Sequence, residues 1–254
     1  MSDVQESFIS HLVELRQRVM RALAAVLVLF LVFAFAWPGS GAIYDFLAVP
    51  LMTALPEGTK MIATGVITPF MVPMKVTALA AFVVALPYVL YQAWAFVAPG
   101  LYEHEKKIGL PLVIASTVLF ILGMAFCYYF VFVRVFTFIH AFAPKSITPA
   151  PDIDAYFSFV LTMFIAFGVT FEIPVVVVIL VRMGIVTVAQ LRDVRPYVIV
   201  GAFVVAAVVT PPDVLSQLML AIPMCVLYEA GIFFARFVAT RPKSVPQDSA
   251  DPAH

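Results

Sequence analysis

The sequence predicts an all-α polytopic membrane protein with six transmembrane helices and both termini in the cytoplasm. Of its 254 residues, 63% are hydrophobic and only 12% are charged, whereas soluble domains average about 45–50% and about 25%. The mean hydropathy is +1.06. Apolar segments recur six times, and most approach the length of about 20 residues that crosses a hydrocarbon core.

Each predicted span is an apolar window bounded by polar or turn-forming residues. The windows lie at about 19–37, 73–97, 108–134 with an extension toward 139, 157–183, 196–210 and 215–237. Proline interrupts the second, fourth and sixth windows. The fifth window reaches only about 22 Å as a straight helix, so we expect a thinner bilayer there or polar ends that reach inward.

The residues before the first span have a helical pattern of their own. Phe8, Leu12 and Leu15 recur at helical spacing within polar surroundings. This predicts an amphipathic helix in the membrane interface that leads into the first span. The run also resembles a cleavable signal peptide, but the amphipathic lead-in and the Trp37-Pro38 pair favour an uncleaved span.

The positive-inside rule sets the orientation. With cytoplasmic termini, eleven of the 15 Lys and Arg residues lie on the inner side. The outer side holds only Lys60, Lys75, Arg134 and Lys145. We therefore predict one transmembrane domain over residues 1–240 and a disordered, proline-rich cytoplasmic tail over 241–254. The long outer loop, 38–72, contains a helical apolar stretch that we expect to stop at Pro50.

The segment 96–107, FVAPGLYEHEKK, is a dense polar run between two spans, and the charge bias places it in the cytoplasm. Its Glu105 and the Glu14 of the N-terminal segment both lie beside apolar or aromatic residues at the membrane boundary. A carboxylate in such surroundings favours arginine, whose planar guanidinium is weakly hydrated and can bind two oxygens. A solvated loop charge is the plainer alternative for each carboxylate.

No pattern of an enzyme is present in the sequence. None of the 11 glycines is followed by Lys, which excludes a phosphate-binding P-loop. His104-Glu105 begins a zinc-protease motif, but Ile108 stands where the second His is required. No nucleophile elbow occurs. Cys127 and Cys225 lie in apolar runs and offer neither metal spacing nor a disulfide framework. We therefore expect no enzymatic activity, no metal and no cofactor.

Glu172 lies near the middle of the fourth span, two residues before Pro174. An ionisable group at this depth is costly and is a functional candidate. The proline adds a freed backbone carbonyl near residue 170. The alternative is a protonated Glu that is hydrogen-bonded within the bundle for packing. For Glu229, nearer the cytoplasmic end of the sixth span, packing is the preferred interpretation.

Several long motifs in this order resemble TatC, the core membrane subunit of the twin-arginine protein translocase. The resemblance covers nearly the whole chain. It rests on HLVELRQRV at 11–19, MIATGVITPF at 61–70, YQAWAFVAPGLYEHEKK at 91–107, FGVTFEIP at 167–174, RPYVIVGAFV at 195–204 and TPPDVLSQLMLAIPM at 210–224.

The resemblance implies a receptor for signal peptides with two consecutive arginines, and the assembly core of a translocase that exports folded proteins across the bacterial inner membrane. It implies energy from the proton-motive force, the single-span partners TatA and TatB, and further copies of the chain in a multimeric complex. By motif position, the signal-binding residues are Glu14, Arg16, Phe96 and Glu105, and the intramembrane and partner-docking residues are Glu172, Thr210 and Gln217. Pro50 and Asp213 correspond to structural outer-loop residues.

Two other classes compete with this interpretation. A proton-coupled secondary transporter with Glu172 as its relay predicts internal repeats and a charged partner at the same depth; the sequence has no clear repeat, and Arg134 and Arg182 lie nearer the membrane edges. Solute uptake by the isolated protein in liposomes would favour it. An intramembrane protease lacks the required nucleophile and metal spacings.

Overall fold

A computed structural model describes residues 2–36, 39–54, 60–97, 106–142 and 150–238 of the chain. These residues form helices without a β-strand, apart from one isolated bridge between Ile62 and Asp152. The helices are α1 (Ser2–Phe35), α2 (Ser40–Ala54), α3 (Thr68–Val97), α4 (Lys106–Phe126), a π-helical turn (Cys127–Phe132), α5 (Val133–Phe142), α6 (Ile153–Phe171), α7 (Ile173–Arg182), α8 (Val188–Asp193), α9 (Arg195–Val209) and α10 (Val214–Val238).

The helices confirm the predicted all-α membrane fold. Five helical segments in the described part of the chain are long and apolar enough to cross a membrane, and α9 is a shorter apolar helix. The predicted lead-in and first span form one unbroken helix, α1. The third span is α4, the π-helical turn and α5 in succession, which carries it past residue 139. The predicted tail from 241 lies outside the described residues.

The bundle is built around large side chains in the outer half of the spans. Phe132, Phe157 and Phe167 are fully buried there, with Met163 between them. Helix α1 packs on α3, α4 packs on α6, and α10 packs on α7 and α9. The α4–α6 approach depends on glycine, since a Cβ at Gly168 would overlap the ring of a facing phenylalanine.

Helix α2 does not stop at Pro50 as the sequence predicted; it continues to Ala54. A proline inside a helix leaves the carbonyl four residues earlier without its usual donor. In this structure Tyr128 donates its hydroxyl to that carbonyl, Phe46 O, at 2.8 Å. Tyr156 donates to the next carbonyl, Leu47 O, at 2.9 Å. The prediction was wrong because tyrosines distant in sequence supply the missing donor.

Asp152 ties two segments together at the outer end of the bundle. One carboxylate oxygen caps α6 by accepting the backbone N–H groups of Asp154 at 2.9 Å and Ala155 at 3.0 Å. The other accepts the backbone N–H of Thr64 at 3.1 Å and its hydroxyl at 2.8 Å. Lys75 and Asp154 add an ion pair of 2.8 Å between α3 and α6. The outer ends of these helices are therefore held at fixed positions.

We predict that Asp152→Ala lowers the thermal unfolding midpoint at neutral pH by roughly 2–4 °C. The N–H of Ala155 is the largest cause of the lowered pKa of Asp152, followed by the bonds from Thr64. Because the folded-state pKa lies below the unfolded one, this stabilisation is complete above about pH 4 and is lost as the pH falls through the lowered pKa. Unfolding in detergent should be followed from pH 7 to pH 3.

Asp45→Ala, which changes an exposed carboxylate on α2, is the matched control and should leave the midpoint unchanged. A difference between the Asp152 variant and wild type that stays constant down to pH 3 would contradict the assignment.

Candidate functional site

Helices α1 and α3 bring Glu14 and Phe96 together at the end of the bundle predicted to be cytoplasmic. His11 of α1 stacks on Phe96, with ring centroids 4.3 Å apart and an interplanar angle of 19°. About two turns further along α1, Arg18 donates its Nε at 2.9 Å and its Nη2 at 2.6 Å to the same oxygen, Oε1, of Glu14. The structure thus places a carboxylate and an aromatic ring on adjoining helices.

The other two predicted signal-binding residues are Arg16 and Glu105. Arg16 is exposed on α1, between Glu14 and Arg18 in sequence. Glu105 lies outside the described residues, as do its neighbours Glu103 and His104, so its place relative to Glu14 stays a prediction.

Below the Glu14–Phe96 pair, a groove of about 350 Å³ runs between the two helices. We call it the α1–α3 groove; it is lined by Leu15, Arg18, Val19, Ala22, Leu23, Val89, Gln92, Ala93, Phe96 and Val97. The five lining residues from α1 and the five from α3 each recur every three or four positions, so each group lies on one face of its helix. Gln92 is only 5% exposed, and its Oε1 has no hydrogen-bond partner within the part of the chain that the structure describes.

The same stretch of α3 is also connected to the intramembrane carboxylate. Trp94 donates its indole Nε1–H to the hydroxyl of Ser116 at 2.9 Å, and both side chains are buried. The Ser116 hydroxyl faces the carboxyl group of Glu172. A short polar path therefore leads from the recognition end of α3 through α4 to the fourth span.

Glu172 lies at a break in the fourth span. Helix α6 ends at Phe171 and α7 begins at Ile173, with Pro174 in its first turn. The Glu172 side chain is 8% exposed. Neither carboxyl oxygen accepts a hydrogen bond of good geometry from any residue in the described ranges. A buried acid held this way keeps its capacity to bind a donor from another helix.

Thr210, Asp213 and Gln217 lie at the opposite end of the bundle from Phe96. The Thr210 hydroxyl donates to Ala206 O of its own helix at 2.8 Å, and Gln217 Nε2 donates across from α10 to Phe203 O of α9 at 3.2 Å. Asp213 accepts the backbone N–H of Ser216 at 2.7 Å and so begins α10. The structure therefore places Thr210 and Gln217, two of the three predicted partner-docking residues, far from the predicted signal-binding residues Glu14 and Phe96.

Sequence reasoning missed four of these side chains as site residues. Arg18 and His11 lie four and three residues from Glu14, so helical spacing could have indicated both. Nothing in the sequence distinguishes Trp94 from the other aromatic residues of the second span, and Gln92 carries no charge. The roles of these two depend on packing between α1, α3 and α4, which no spacing within one helix reveals.

Comparisons with known proteins agree on one family. The family model described as Sec-independent protein translocase protein (TatC) matches residues 10–223. The chain is 49% identical over 239 residues to a TatC from Haemophilus influenzae, covering 93% of this chain and 92% of that protein. It is 47% identical over 232 residues to a TatC from Escherichia coli, covering 91% and 89%.

The fold also agrees with an experimental structure. A crystal structure described as the twin arginine translocase receptor TatC superposes with a TM-score of 0.78 at 36% identity, covering 91% of this chain and 100% of that one.

We predict that Ser116→Ala destabilises the protein by about 1–3 kcal/mol, since the buried Trp94 N–H loses its acceptor. The free energy of unfolding should be measured in detergent. Thr117→Ala is the matched control, because the Thr117 hydroxyl bonds only to Val113 O of its own helix and its loss should cost less. The double variant Ser116→Ala/Trp94→Phe should lose less free energy of unfolding than the sum of the losses in the two single variants. If the two single losses add up to the loss in the double variant, the Trp94–Ser116 hydrogen bond is contradicted.

Proposed function

The chain belongs to the TatC family of Sec-independent protein translocase proteins, and from that membership we propose that it is the receptor for twin-arginine signal peptides. It is a multi-pass membrane component of a protein translocase and not an enzyme. The single observation that supports the receptor role best is the contact between α1 and α3, where His11, one helical turn before Glu14, stacks on Phe96.

The chemistry of this pair suits a guanidinium. Glu14 offers two oxygens, and Arg18 uses only Oε1. An incoming arginine either replaces Arg18 or binds Oε2. The Phe96 ring adds an aromatic surface on which a planar cation can stack. Glu105 is proposed as the second carboxylate, so that two consecutive arginines find two acceptors.

We also propose a location and an energy source, which rest on family membership. The protein resides in the bacterial inner membrane with its termini in the cytoplasm, and transport is driven by the proton-motive force. The charge distribution along the sequence supports this orientation.

TatA and TatB are the proposed partners, along with further copies of this chain. Thr210 and Gln217 on α9 and α10 are the proposed docking residues at the outer end, and Glu172 is the proposed polar contact within the membrane. The burial of the Glu172 carboxyl supports this role, because a partner helix that donates a well-aligned hydrogen bond would add to the poorly aligned contact with Ser116 and offset the desolvation cost of the carboxyl group.

We predict that Glu105→Gln weakens binding of a twin-arginine peptide by roughly ten- to hundredfold, the value of a hydrogen bond to a charged group. For Glu14→Gln we expect a loss of affinity at the lower end of this range, because the Glu14 side chain is 39% exposed and solvent screens its charge. Dissociation constants should be measured for peptides with Arg-Arg and Lys-Lys pairs.

Asp193→Asn removes an exposed carboxylate on the same side of the membrane and should leave affinity unchanged. If Glu105→Gln binds like wild type while folded, Glu105 has no part in recognition.

We predict that Glu172→Ala disturbs assembly with TatA and TatB more than it disturbs peptide binding. Site-specific crosslinks from the fourth and fifth spans to each partner should decrease, while the peptide dissociation constant changes little. Thr162→Ala, an exposed position on the same span, is the control. Unchanged crosslinks to both partners in a folded Glu172→Ala protein would count against the assignment.

A further inference from the structure

We propose that the α1–α3 groove is a second subsite of the receptor. It would take the apolar side chain that follows the paired arginines, while Gln92 accepts a hydrogen bond from an N–H of the peptide main chain. The inference rests on the proposed function, because Glu14 places the arginines at the mouth of the groove. It adds a binding site for the apolar part of the same ligand.

The groove is continuous with the arginine site. Arg18 and Phe96 belong to both, since Arg18 binds Glu14 and lines the groove, and Phe96 stacks on His11 and lines it too. Leu15 follows Glu14 directly in the chain. An extended peptide advances about 3.5 Å per residue, so a side chain one or two residues past a bound arginine reaches this lining.

The lining matches the composition of a signal peptide. Apart from Arg18 and Gln92, each side chain that lines the groove is apolar. A signal peptide carries a positively charged segment followed by an apolar one. The receptor presents the Glu14 carboxylate at the mouth of the groove and apolar side chains further in. This order is complementary to that of a signal peptide.

Gln92 identifies the occupant. Its Oε1 is buried and is not hydrogen-bonded by any residue of the described segments. A lipid acyl chain could fill the volume but carries no donor, so it would leave this oxygen unpaired. A peptide carries both an apolar side chain and a main-chain N–H, and it satisfies the groove and the oxygen together.

The test separates binding from stability in one variant. Gln92→Met keeps the length of the side chain and removes the unpaired oxygen. We expect the affinity for a twin-arginine peptide to fall about two- to tenfold, the value of one neutral hydrogen bond. The unfolding midpoint of the empty protein should stay the same or rise, since an unsatisfied buried group is gone.

Two further variants and a second peptide complete the experiment. Gln17→Met makes the same change at an exposed position of α1 outside the groove and should bind like wild type. Ala93→Leu fills the groove and should weaken binding. Replacing the first apolar residue after the arginines by Ser should weaken binding to wild type several-fold and binding to Ala93→Leu much less.

The outcomes distinguish this inference from the proposed function. If wild type does not prefer Arg-Arg over Lys-Lys peptides, the receptor function itself fails. If it does, but Gln92→Met and Ala93→Leu bind like wild type, only the groove assignment fails. A lower unfolding midpoint for Gln92→Met would show that Gln92 stabilises the empty fold, and this would also overturn the assignment.

Discussion

A polar group inside a membrane must find its hydrogen-bond partner within the protein, and this requirement organises the bundle. The same holds for α2 in the outer loop, where Pro50 removes a donor and Tyr128 of the third span replaces it. The indole N–H of Trp94 is buried, and Ser116 accepts it. In both cases the partner comes from another helix, so satisfying one polar group fixes how two helices pack. Hydrogen bonds from side chains thereby fix the contacts between helices, as backbone hydrogen bonds fix each helix.

Gln92 and Glu172 stand against this background of paired groups. Within the described residues, Gln92 Oε1 accepts no hydrogen bond, and the Glu172 carboxyl is faced by the poorly aligned Ser116 hydroxyl. Each of the two residues belongs to a stretch proposed to meet another molecule. A buried polar group without a partner costs free energy in the isolated protein. That cost is recovered when a ligand or a partner helix supplies the donor. This balance between a cost in the isolated protein and a gain on binding is what the proposed roles of Gln92 and Glu172 require.

The spans and their order followed from hydropathy because bilayer thickness imposes length directly on sequence. The helix through Pro50 did not, since its compensating donor lies 82 residues further along the chain. Glu14 was predicted from its charge at the membrane boundary and Phe96 from the family resemblance, and the structure places the two residues on adjoining helices. Gln92 was not, because an amide looks the same in sequence whether it is paired or unpaired. Local patterns predict elements; the state of a buried polar atom depends on which helices meet around it.

The two ends of the bundle are held by different kinds of contact. At the outer end, Asp152 and Tyr156 bond to backbone groups of segments distant in sequence, which fixes those segments in direction and distance. At the end predicted to be cytoplasmic, α1 packs on α3 and His11 stacks on Phe96, while the Glu14–Arg18 pair lies within α1 itself. An ion pair within one helix opposes little when the helix moves, and a single stack is worth about 0.5–1.5 kcal/mol. Helix α1 is therefore held to α3 by packed side chains, whereas Asp152 and Tyr156 fix the outer end through hydrogen bonds to backbone groups of distant segments.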